Sequence, residues 1–202
     1  MIIEAPEIVV VGASTGGLKA LQTLLAGLAE DFPLPIVIVQ HRGKESGSEL
    51  CEFLRQFSRL PVSEPEDKEP ILTGHAYLAP GDYHLMIEEG CFALSTESPV
   101  TYARPSIDVL FETAADEYQE RTVGVILTGR NNDGTRGLGK IKARGGLAVV
   151  EDPASAACRE MPESAVTHIK VDSILPLKEI APYLNELVKS VSPNRTVPKD
   201  TL

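Results

Sequence analysis

The stretch Ile8-Val9-Val10-Val11-Gly12-Ala13-Ser14-Thr15-Gly16-Gly17-Leu18 decides the fold class of this chain. Its apolar, β-branched first half is typical of a parallel strand buried on both faces, and its Gly, Ser and Thr residues indicate a tight turn into a helix. Ser14 is therefore expected at the carboxyl end of a strand. In open α/β sheets, ligands bind at that edge, where helix N-termini also direct free N–H groups into the crevice.

Two later apolar runs also end in polar side chains. Residues 36–39 lead into His41, and residues 123–127 lead into a polar loop that contains Asp133. Parallel strands bring their carboxyl ends to one edge of a sheet. The pattern therefore predicts that Ser14, His41 and Asp133 share one crevice.

Composition and charge exclude several classes of protein. The chain has 202 residues, of which 43% are hydrophobic, enough for one domain with a substantial core. Its net charge of −10 disfavours binding to nucleic acids or to anionic membrane surfaces. Three widely spaced cysteines indicate neither a disulfide framework nor a zinc site, and the sequence shows no basic leader or membrane-length apolar segment. We therefore expect a cytoplasmic protein with reduced thiols and no membrane insertion.

Helices and strands alternate along most of the chain. The spacing of apolar residues predicts a first helix that buries Leu18 and a later helix for which Ser106 is the N-cap. The predicted helices cover residues 18–28, 46–57, 106–118, 137–143 and 177–187.

A segment of period two interrupts this alternation. We expect short antiparallel strands over residues 75–79, 83–87 and 91–94. The whole pattern predicts an α/β fold with a doubly wound, mostly parallel sheet, helices on both faces and a short antiparallel β excursion. Residues 191–202 are expected to form a flexible C-terminal tail.

Ser14, His41 and Asp133 are the residue types of a hydrolytic triad. A serine hydroxyl becomes nucleophilic when a histidine accepts its proton, and a carboxylate on the far side of that histidine orients the ring. The chain lacks the G-x-S-x-G elbow of α/β-hydrolases, but geometry rather than chain order defines a triad. Each residue alone also has a structural explanation: a helix cap for Ser14, a loop or core position for His41 and a turn for Asp133.

A dinucleotide-binding turn is the alternative explanation for the glycines after the first strand. Ser14 stands where the G-x-G-x-x-G fingerprint requires its second glycine. The second strand ends in Gln40 and His41 rather than in the acidic residue that binds a ribose. We rank this alternative below hydrolysis, and we expect no cofactor and no metal ion.

Six motifs, in order along the chain, are similar to those of one enzyme family. They are Val11-Gly12-Ala13-Ser14-Thr15-Gly16-Gly17, Val39-Gln40-His41, Tyr77-Leu78-Ala79-Pro80-Gly81-Asp82-Tyr83-His84-Leu85, Arg104-Pro105-Ser106-Ile107-Asp108-Val109-Leu110-Phe111, Leu127-Thr128-Gly129 with Asn132-Asp133-Gly134, and Asp152-Pro153 with Met161-Pro162 and Ala165. This set resembles the catalytic domain of the CheB-type chemotaxis protein-glutamate methylesterases. We therefore expect residues 1–190 to form such a domain.

The resemblance implies a serine hydrolase that removes methyl groups from receptor glutamates and releases methanol. Many members of the family also deamidate receptor glutamines. By resemblance, Ser14 is the nucleophile, His41 the general base and then acid, and Asp133 the orienting carboxylate. Further residues are implied in oxyanion stabilisation or substrate binding, namely Thr15, Gly16, Gln40 and Arg130. His84 is a rival base, although a strand histidine more often packs or forms structural hydrogen bonds.

The chain departs from the family pattern in its catalytic loop. That loop usually reads Thr-Gly-Met-Gly-x-Asp-Gly, whereas Arg130 and Asn131 stand here at the methionine and second glycine positions. Asn adopts a positive φ more readily than most residues, so we expect the turn to survive. Because of Arg130, a catalytically impaired module that docks on a chemosensory partner through the same cleft is the second functional hypothesis.

The resemblance also implies partners. These are the cytoplasmic helices of methyl-accepting chemotaxis receptors. Members of the family often carry an N-terminal receiver domain, and we expect none in this sequence. A separate receiver or chemosensory protein is therefore a second expected partner.

Overall fold

A computed structural model describes residues 5–43 and 48–190 of the chain. Its main feature is a seven-stranded sheet, of order β3-β4-β2-β1-β7-β8-β9, in which all neighbouring strands are parallel. A separate hairpin contains β5 and β6. The strands are β1 (Ile8–Ala13), β2 (Ile36–Gln40), β3 (Val62–Ser63), β4 (Ala76–Leu78), β5 (His84–Glu88), β6 (Cys91–Ser95), β7 (Thr122–Ile126), β8 (Leu147–Glu151) and β9 (Ser173–Leu175).

Helices cover both faces of the main sheet. They are α1 (Gly17–Gly27), α2 (Glu49–Arg55), α3 (Ile107–Tyr118), α4 (Thr135–Ala143), α5 (Glu160–His168) and α6 (Leu177–Ser190). Alternate side chains of β1 belong to different cores, since side chains along a strand point to opposite faces of the sheet. Val9 and Val11 join the core formed with α1, α2 and α6, whereas Ile8 and Val10 join the core formed with α3, α4 and α5. This architecture confirms the predicted doubly wound α/β fold.

The sheet has a switch point at β1. From this strand the chain forms β2, the edge strand β3 and then β4 on one side, and later β7, β8 and β9 on the other. Backbone pairing continues past the strand ends, because Ser14 N donates to Thr128 O and His41 N donates to Ala13 O, each at 3.0 Å. Switch points of this kind leave a crevice at the carboxyl edge of the sheet. The segments after β1, β2 and β7 meet there.

The predicted antiparallel excursion is present only in part. β5 and β6 form the expected antiparallel hairpin. The prediction for residues 75–79 is wrong, because β4 is a parallel strand of the main sheet between β2 and β3. Period-two spacing indicates which side chains are buried, but it does not report the direction of the neighbouring strand. Tyr77 of β4 nevertheless contacts the hairpin, with its ring centroid 4.6 Å from that of Phe92.

The predicted helices differ from the observed ones mainly at their ends. α1 begins at Gly17, and Leu18 is 47% exposed rather than buried as expected. Ser106 stands at the N-cap position of α3, but its hydroxyl does not cap the helix. The first residues of the predicted 46–57 helix and the predicted tail, residues 191–202, lie outside the described residues.

The three cysteines are free thiols, as predicted. In the ranges 5–43 and 48–190, no helix is long and apolar enough to cross a membrane. Within the same ranges, no three His, Cys, Asp or Glu side chains are grouped so that they could hold a metal ion.

Candidate active site

Ser14 lies in the turn that joins β1 to α1. Its carbonyl accepts a hydrogen bond from Gly17 N at 2.8 Å. The Gln40 amide supports this turn, since Nε2 donates to the carbonyls of Ser14 and His41, each at 2.9 Å. Gln40 is 8% exposed, so its amide holds two loops of the site together instead of facing a substrate.

Two glycines allow the backbone to pack closely around the nucleophile candidate. A Cβ atom at Gly17 would lie 1.8 Å from Gln40 Oε1. A Cβ atom at Gly129 would lie 2.9 Å from Ser14 Cβ and 2.7 Å from Met161 Cε. Real Cβ contacts are not this short, so only glycine fits at either position without movement of a neighbour. The loop after β7 therefore touches Ser14 directly.

His41 lies one residue beyond β2, beside the Ser14 turn. Its ring Nε2 is 2.7 Å from Asp133 Oδ2. An ionised carboxylate only accepts hydrogen bonds, so Nε2 carries the proton of this bond and Nδ1 retains a free lone pair. Within the described residues, no hydrogen bond joins Ser14 Oγ to the ring. Such bonds are often long in unliganded enzymes and shorten when substrate binds.

Asp133 is fully buried and accepts four hydrogen bonds. Oδ1 accepts from Ser106 Oγ at 2.9 Å and from Asp108 N at 3.0 Å, and Oδ2 accepts from Ile107 N at 2.8 Å in addition to His41 Nε2. Burial acts to raise the pKa of Asp133, but the bonds from His41 and from the two backbone N–H groups outweigh it and hold the pKa below its ordinary value. The carboxylate therefore stays ionised at the N-terminus of α3, whose dipole also favours negative charge.

Asp108 is a second buried carboxylate in the same region, and it was not among the predicted site residues. Its Oδ1 accepts from Gly134 N at 2.9 Å and from Gly137 N at 2.8 Å. Burial raises the pKa of Asp108. These bonds fix the start of α4 against α3, immediately after Asp133. A signal was present in the sequence, because Ser106-Ile107-Asp108 forms part of one of the six motifs.

Glu151 is a third buried carboxylate, and it too was not among the predicted site residues. It ends β8 and accepts a hydrogen bond from Thr128 N at 2.7 Å through Oε2. Burial raises the pKa of Glu151. The Thr128 hydroxyl lies 2.9 Å from the carbonyl oxygen of Thr15 and accepts from Cys158 N at 2.7 Å. Glu151 and Thr128 thus connect the Ser14 turn to the loop after β8.

Backbone N–H groups beside Ser14 are the candidate oxyanion donors. Thr15 and Gly16 are exposed at the start of α1, and neither of their N–H groups donates to another group in the described part of the chain. The N–H of Gly129 is already bound to Cys158 O at 3.1 Å. The free donors therefore lie on the α1 side of Ser14, where the positive end of the helix dipole also favours an anion.

Arg130 and Asn131 are exposed in the loop between β7 and Asp133. Asn131 has a φ of 64°, which confirms the expectation that asparagine replaces glycine in this turn. Its Oδ1 accepts from Asp133 N at 2.9 Å. Among the described residues, the Arg130 guanidinium forms no ion pair, whereas Arg136 and Arg159 pair with Glu112 and Glu163.

An open cleft of about 430 Å³ adjoins His41. Asn131, Tyr102 and Arg104 also line it. The rival base, His84, is 2% exposed and uses both ring nitrogens in structural hydrogen bonds. Its Nδ1 accepts from Ser106 N at 3.3 Å, and its Nε2 lies 3.2 Å from the carbonyl oxygen of Ser98. His84 therefore has no free nitrogen with which to accept a proton.

Comparisons with known proteins agree with these features. The family model for CheB methylesterase matches residues 9–184. A Leptospira interrogans protein is 48% identical over 176 residues, which cover 87% of this chain and 91% of that protein. In Anaeromyxobacter dehalogenans, protein-glutamate methylesterase/protein-glutamine glutaminase 2 is 43% identical over 91% of this chain, which spans 54% of that enzyme.

A solved structure has the same fold. The Thermotoga maritima CheB methylesterase catalytic domain superposes with a TM-score of 0.87 at 38% sequence identity. The match covers 91% of this chain and 100% of that domain. The resemblance inferred from the six motifs is thereby confirmed, and the chain belongs to the CheB methylesterase family.

Proposed function

We propose that the chain is a protein-glutamate methylesterase in which Ser14, His41 and Asp133 form the catalytic triad. The single observation that carries this assignment is the 2.7 Å bond between His41 Nε2 and Asp133 Oδ2, formed beside Ser14 at the switch point. Family membership and the names of the relatives support the reaction class. Residues 1–190 form the catalytic domain in this proposal.

The proton path follows from the orientation of the histidine ring. Asp133 holds the proton on Nε2, so Nδ1 accepts the Ser14 proton as Oγ attacks the γ-carbonyl of a methylated glutamate. The imidazolium then returns that proton to the leaving methoxide, and methanol departs. A water molecule activated by the same nitrogen hydrolyses the acyl-enzyme and leaves a free glutamate.

The developing oxyanion is stabilised, in this proposal, by the N–H groups of Thr15 and Gly16, which have no acceptor among the described residues. A single donor of this kind is typically worth about 3 to 4 kcal/mol of transition-state stabilisation. Gln40 acts indirectly, because its amide holds the carbonyls of Ser14 and His41. Arg130 forms no ion pair with a residue of the ranges 5–43 and 48–190, and its cation beside the mouth of the site attracts acidic surfaces of a substrate protein.

The same machinery also deamidates glutamine side chains. The Anaeromyxobacter and Thermotoga relatives carry glutaminase as well as methylesterase in their names. Amide hydrolysis needs a proton for the departing ammonia, and the His41 imidazolium formed during attack supplies it.

Family membership supports a proposal for the substrate and the location. We infer that the substrates are glutamyl esters on the cytoplasmic helices of methyl-accepting chemoreceptors, which places the enzyme in the cytoplasm. Each turnover adds one negative charge to a receptor helix, and altered repulsion between carboxylates shifts a signalling equilibrium. A separate receiver or chemosensory protein is the proposed regulatory partner.

Methanol release from a methylated receptor fragment tests this function. The native chain and Ser14→Ala are compared at equal concentration, with circular dichroism as the control for folding. Release that disappears in Ser14→Ala supports the triad. Absence of release by the native chain with several receptors would favour a docking module without catalysis.

A further inference from the structure

A strained turn lies at the edge of the candidate active site. Val100 and Ala103 exchange two backbone hydrogen bonds, at 3.1 and 2.9 Å, and Thr101 and Tyr102 form the tip between them. Both tip residues have positive φ values, 50° for Thr101 and 62° for Tyr102. Turns with two such residues strongly favour Asn, Asp or Gly, and a β-branched residue with positive φ is an outlier. Thr101 and Tyr102 are therefore not the residue types that the conformation of this turn favours.

The base of this loop is firmly anchored. Arg104 donates to the carbonyls of Thr96 at 2.6 Å and Glu97 at 2.8 Å, and to Asp82 Oδ1 at 2.6 Å. Contacts on both sides of the tip therefore fix the direction in which the turn projects. Backbone strain that is held in place by surrounding contacts is found preferentially at functional sites.

Tyr102 is presented to solvent by this turn. Its side chain is fully exposed and makes no hydrogen bond or ring contact within the described residues. It lines the same cleft as His41 and Asn131. Because its side chain has no packing partner in the described part of the chain, Tyr102 gains no stability there that would offset its strained backbone. Tyrosine is, however, a residue type that dominates binding energy at protein interfaces, because it offers a rigid amphipathic surface at low entropic cost.

We propose that Tyr102 is a binding residue for the protein substrate. Its ring packs against the receptor surface next to the glutamyl ester, while His41 acts in the reaction. This inference rests on the proposed function and adds a specificity element to it. The occupant of the cleft is a helix of the substrate protein, of which only one side chain enters the reaction. Tyr102 therefore contributes to binding of the protein and not to hydrolysis of a small ester.

Kinetics on two substrates separate this role from catalysis. The substrates are a methylated receptor cytoplasmic fragment and a small glutamate γ-methyl ester. Tyr102→Ala is expected to lower kcat/KM on the receptor fragment about tenfold or more, mainly through KM. Its rate on the small ester is expected to equal that of the native chain. Tyr102→Phe, which keeps the ring, is expected to retain most activity on both.

A turn-compatible variant removes folding as an explanation. Asn is well suited to a positive φ, so Tyr102→Asn is expected to match or exceed the native thermal stability while losing activity on the receptor fragment. Leu72→Ala is the matched control, because Leu72 is an exposed apolar residue that precedes β4 at the opposite edge of the sheet. This control is expected to leave both rates unchanged.

The outcomes are distinguishable. If Tyr102→Ala and Tyr102→Asn keep native activity on the receptor fragment, the role of Tyr102 is overturned, and the proposed function is not affected. An equal loss on both substrates would also overturn it, because the residue would then act on the reaction itself. Absence of methanol release from the receptor fragment by the native chain, whether or not the small ester is hydrolysed, would overturn the proposed function and this inference together.

Discussion

The backbone N–H of Ile107 donates to Asp133 Oδ2 at 2.8 Å, on the same oxygen that accepts from His41 Nε2. The first turn of α3 therefore holds the carboxylate that orients the imidazole. Hydrogen bonds to charged groups are the strong ones in proteins, and Asp133 accepts four hydrogen bonds in a buried setting. The orientation of His41 thus depends on the position of a helix that begins far from it in sequence.

Asp133→Asn is expected to lower kcat by about 10⁴, because the amide no longer holds the required tautomer of His41. The buried amide nitrogen would also face N–H donors, with a cost of about 1 to 3 kcal/mol in unfolding free energy. Methanol release and urea unfolding measure the two effects. Asp116→Asn, at an exposed aspartate, is the control and should leave turnover unchanged.

Ser106→Ala removes one of the hydrogen bonds to Asp133 and keeps the carboxylate. It removes one hydrogen bond to an ionised carboxylate, so we expect a loss of about 1.5 to 3 kcal/mol in unfolding free energy. Turnover should fall much less than in Asp133→Asn, since His41 keeps its partner. An unchanged urea midpoint would show that the 2.9 Å bond from Ser106 Oγ contributes nothing.

Gly129→Ala is expected to reduce activity more than stability. The new Cβ would lie 2.7 Å from Met161 Cε, at the flexible end of that side chain, and 2.9 Å from Ser14 Cβ. Relief of the second contact displaces Ser14, the proposed nucleophile, and a shift of about 1 Å can cost 10²-fold in rate. Gly139→Ala, where the new Cβ would meet only Ile169 Cδ1, should keep native turnover.

Glu151→Gln is expected to stabilise the fold at neutral pH. Burial raises the pKa of the Glu151 carboxyl above its ordinary value of 4.5. The folded state therefore binds this proton more tightly, so the contribution of Glu151 is favourable below pH 4.5 and is lost as pH rises through the folded pKa. Glutamine still accepts from Thr128 N and carries no charge to desolvate.

Urea midpoints at several pH values check the sign of this effect. The gain of Glu151→Gln should be largest near pH 7 and should shrink toward pH 4. Glu30→Gln, at an exposed glutamate, should show no such trend. A constant difference across the whole range would contradict the assignment of the effect to ionisation of Glu151.

Arg130→Met is expected to lower kcat/KM on an acidic receptor fragment several-fold at low salt and to leave kcat nearly unchanged. Charges at the rim of an interface act mainly on association, and salt screens them. The difference from the native chain should therefore vanish at high ionic strength. Equal activity of Arg130→Met and the native chain at all salt concentrations would show that Arg130 does not attract the substrate.

Much of the fold was accessible from local pattern. The apolar runs of β1 and β2, each followed by a polar side chain, predicted parallel strands that end at one edge. The direction of β4 was not accessible, because His75 to Leu78 carry the same spacing in either orientation. Pairing partners distant in sequence decide that direction.

The candidate site was also predictable in part from the sequence. Residue types at strand ends indicated Ser14, His41 and Asp133, and the structure brings His41 and Asp133 into contact. Asp108 and Glu151 were missed, because their importance arises from bonds to Gly134 and Thr128, 26 and 23 residues away in sequence. A single sequence does not display such tertiary bonds.

The hydrogen bonds to Asp133 have a consequence for biosynthesis. Ser14 and His41 are made early on the ribosome, but Asp133 follows 92 residues after His41. A nascent chain therefore holds the serine and the imidazole without the carboxylate that orients them. The proposed triad comes together only when α3 has docked and the loop after β7 has packed against it, so a chain released before residue 133 lacks the partner of His41.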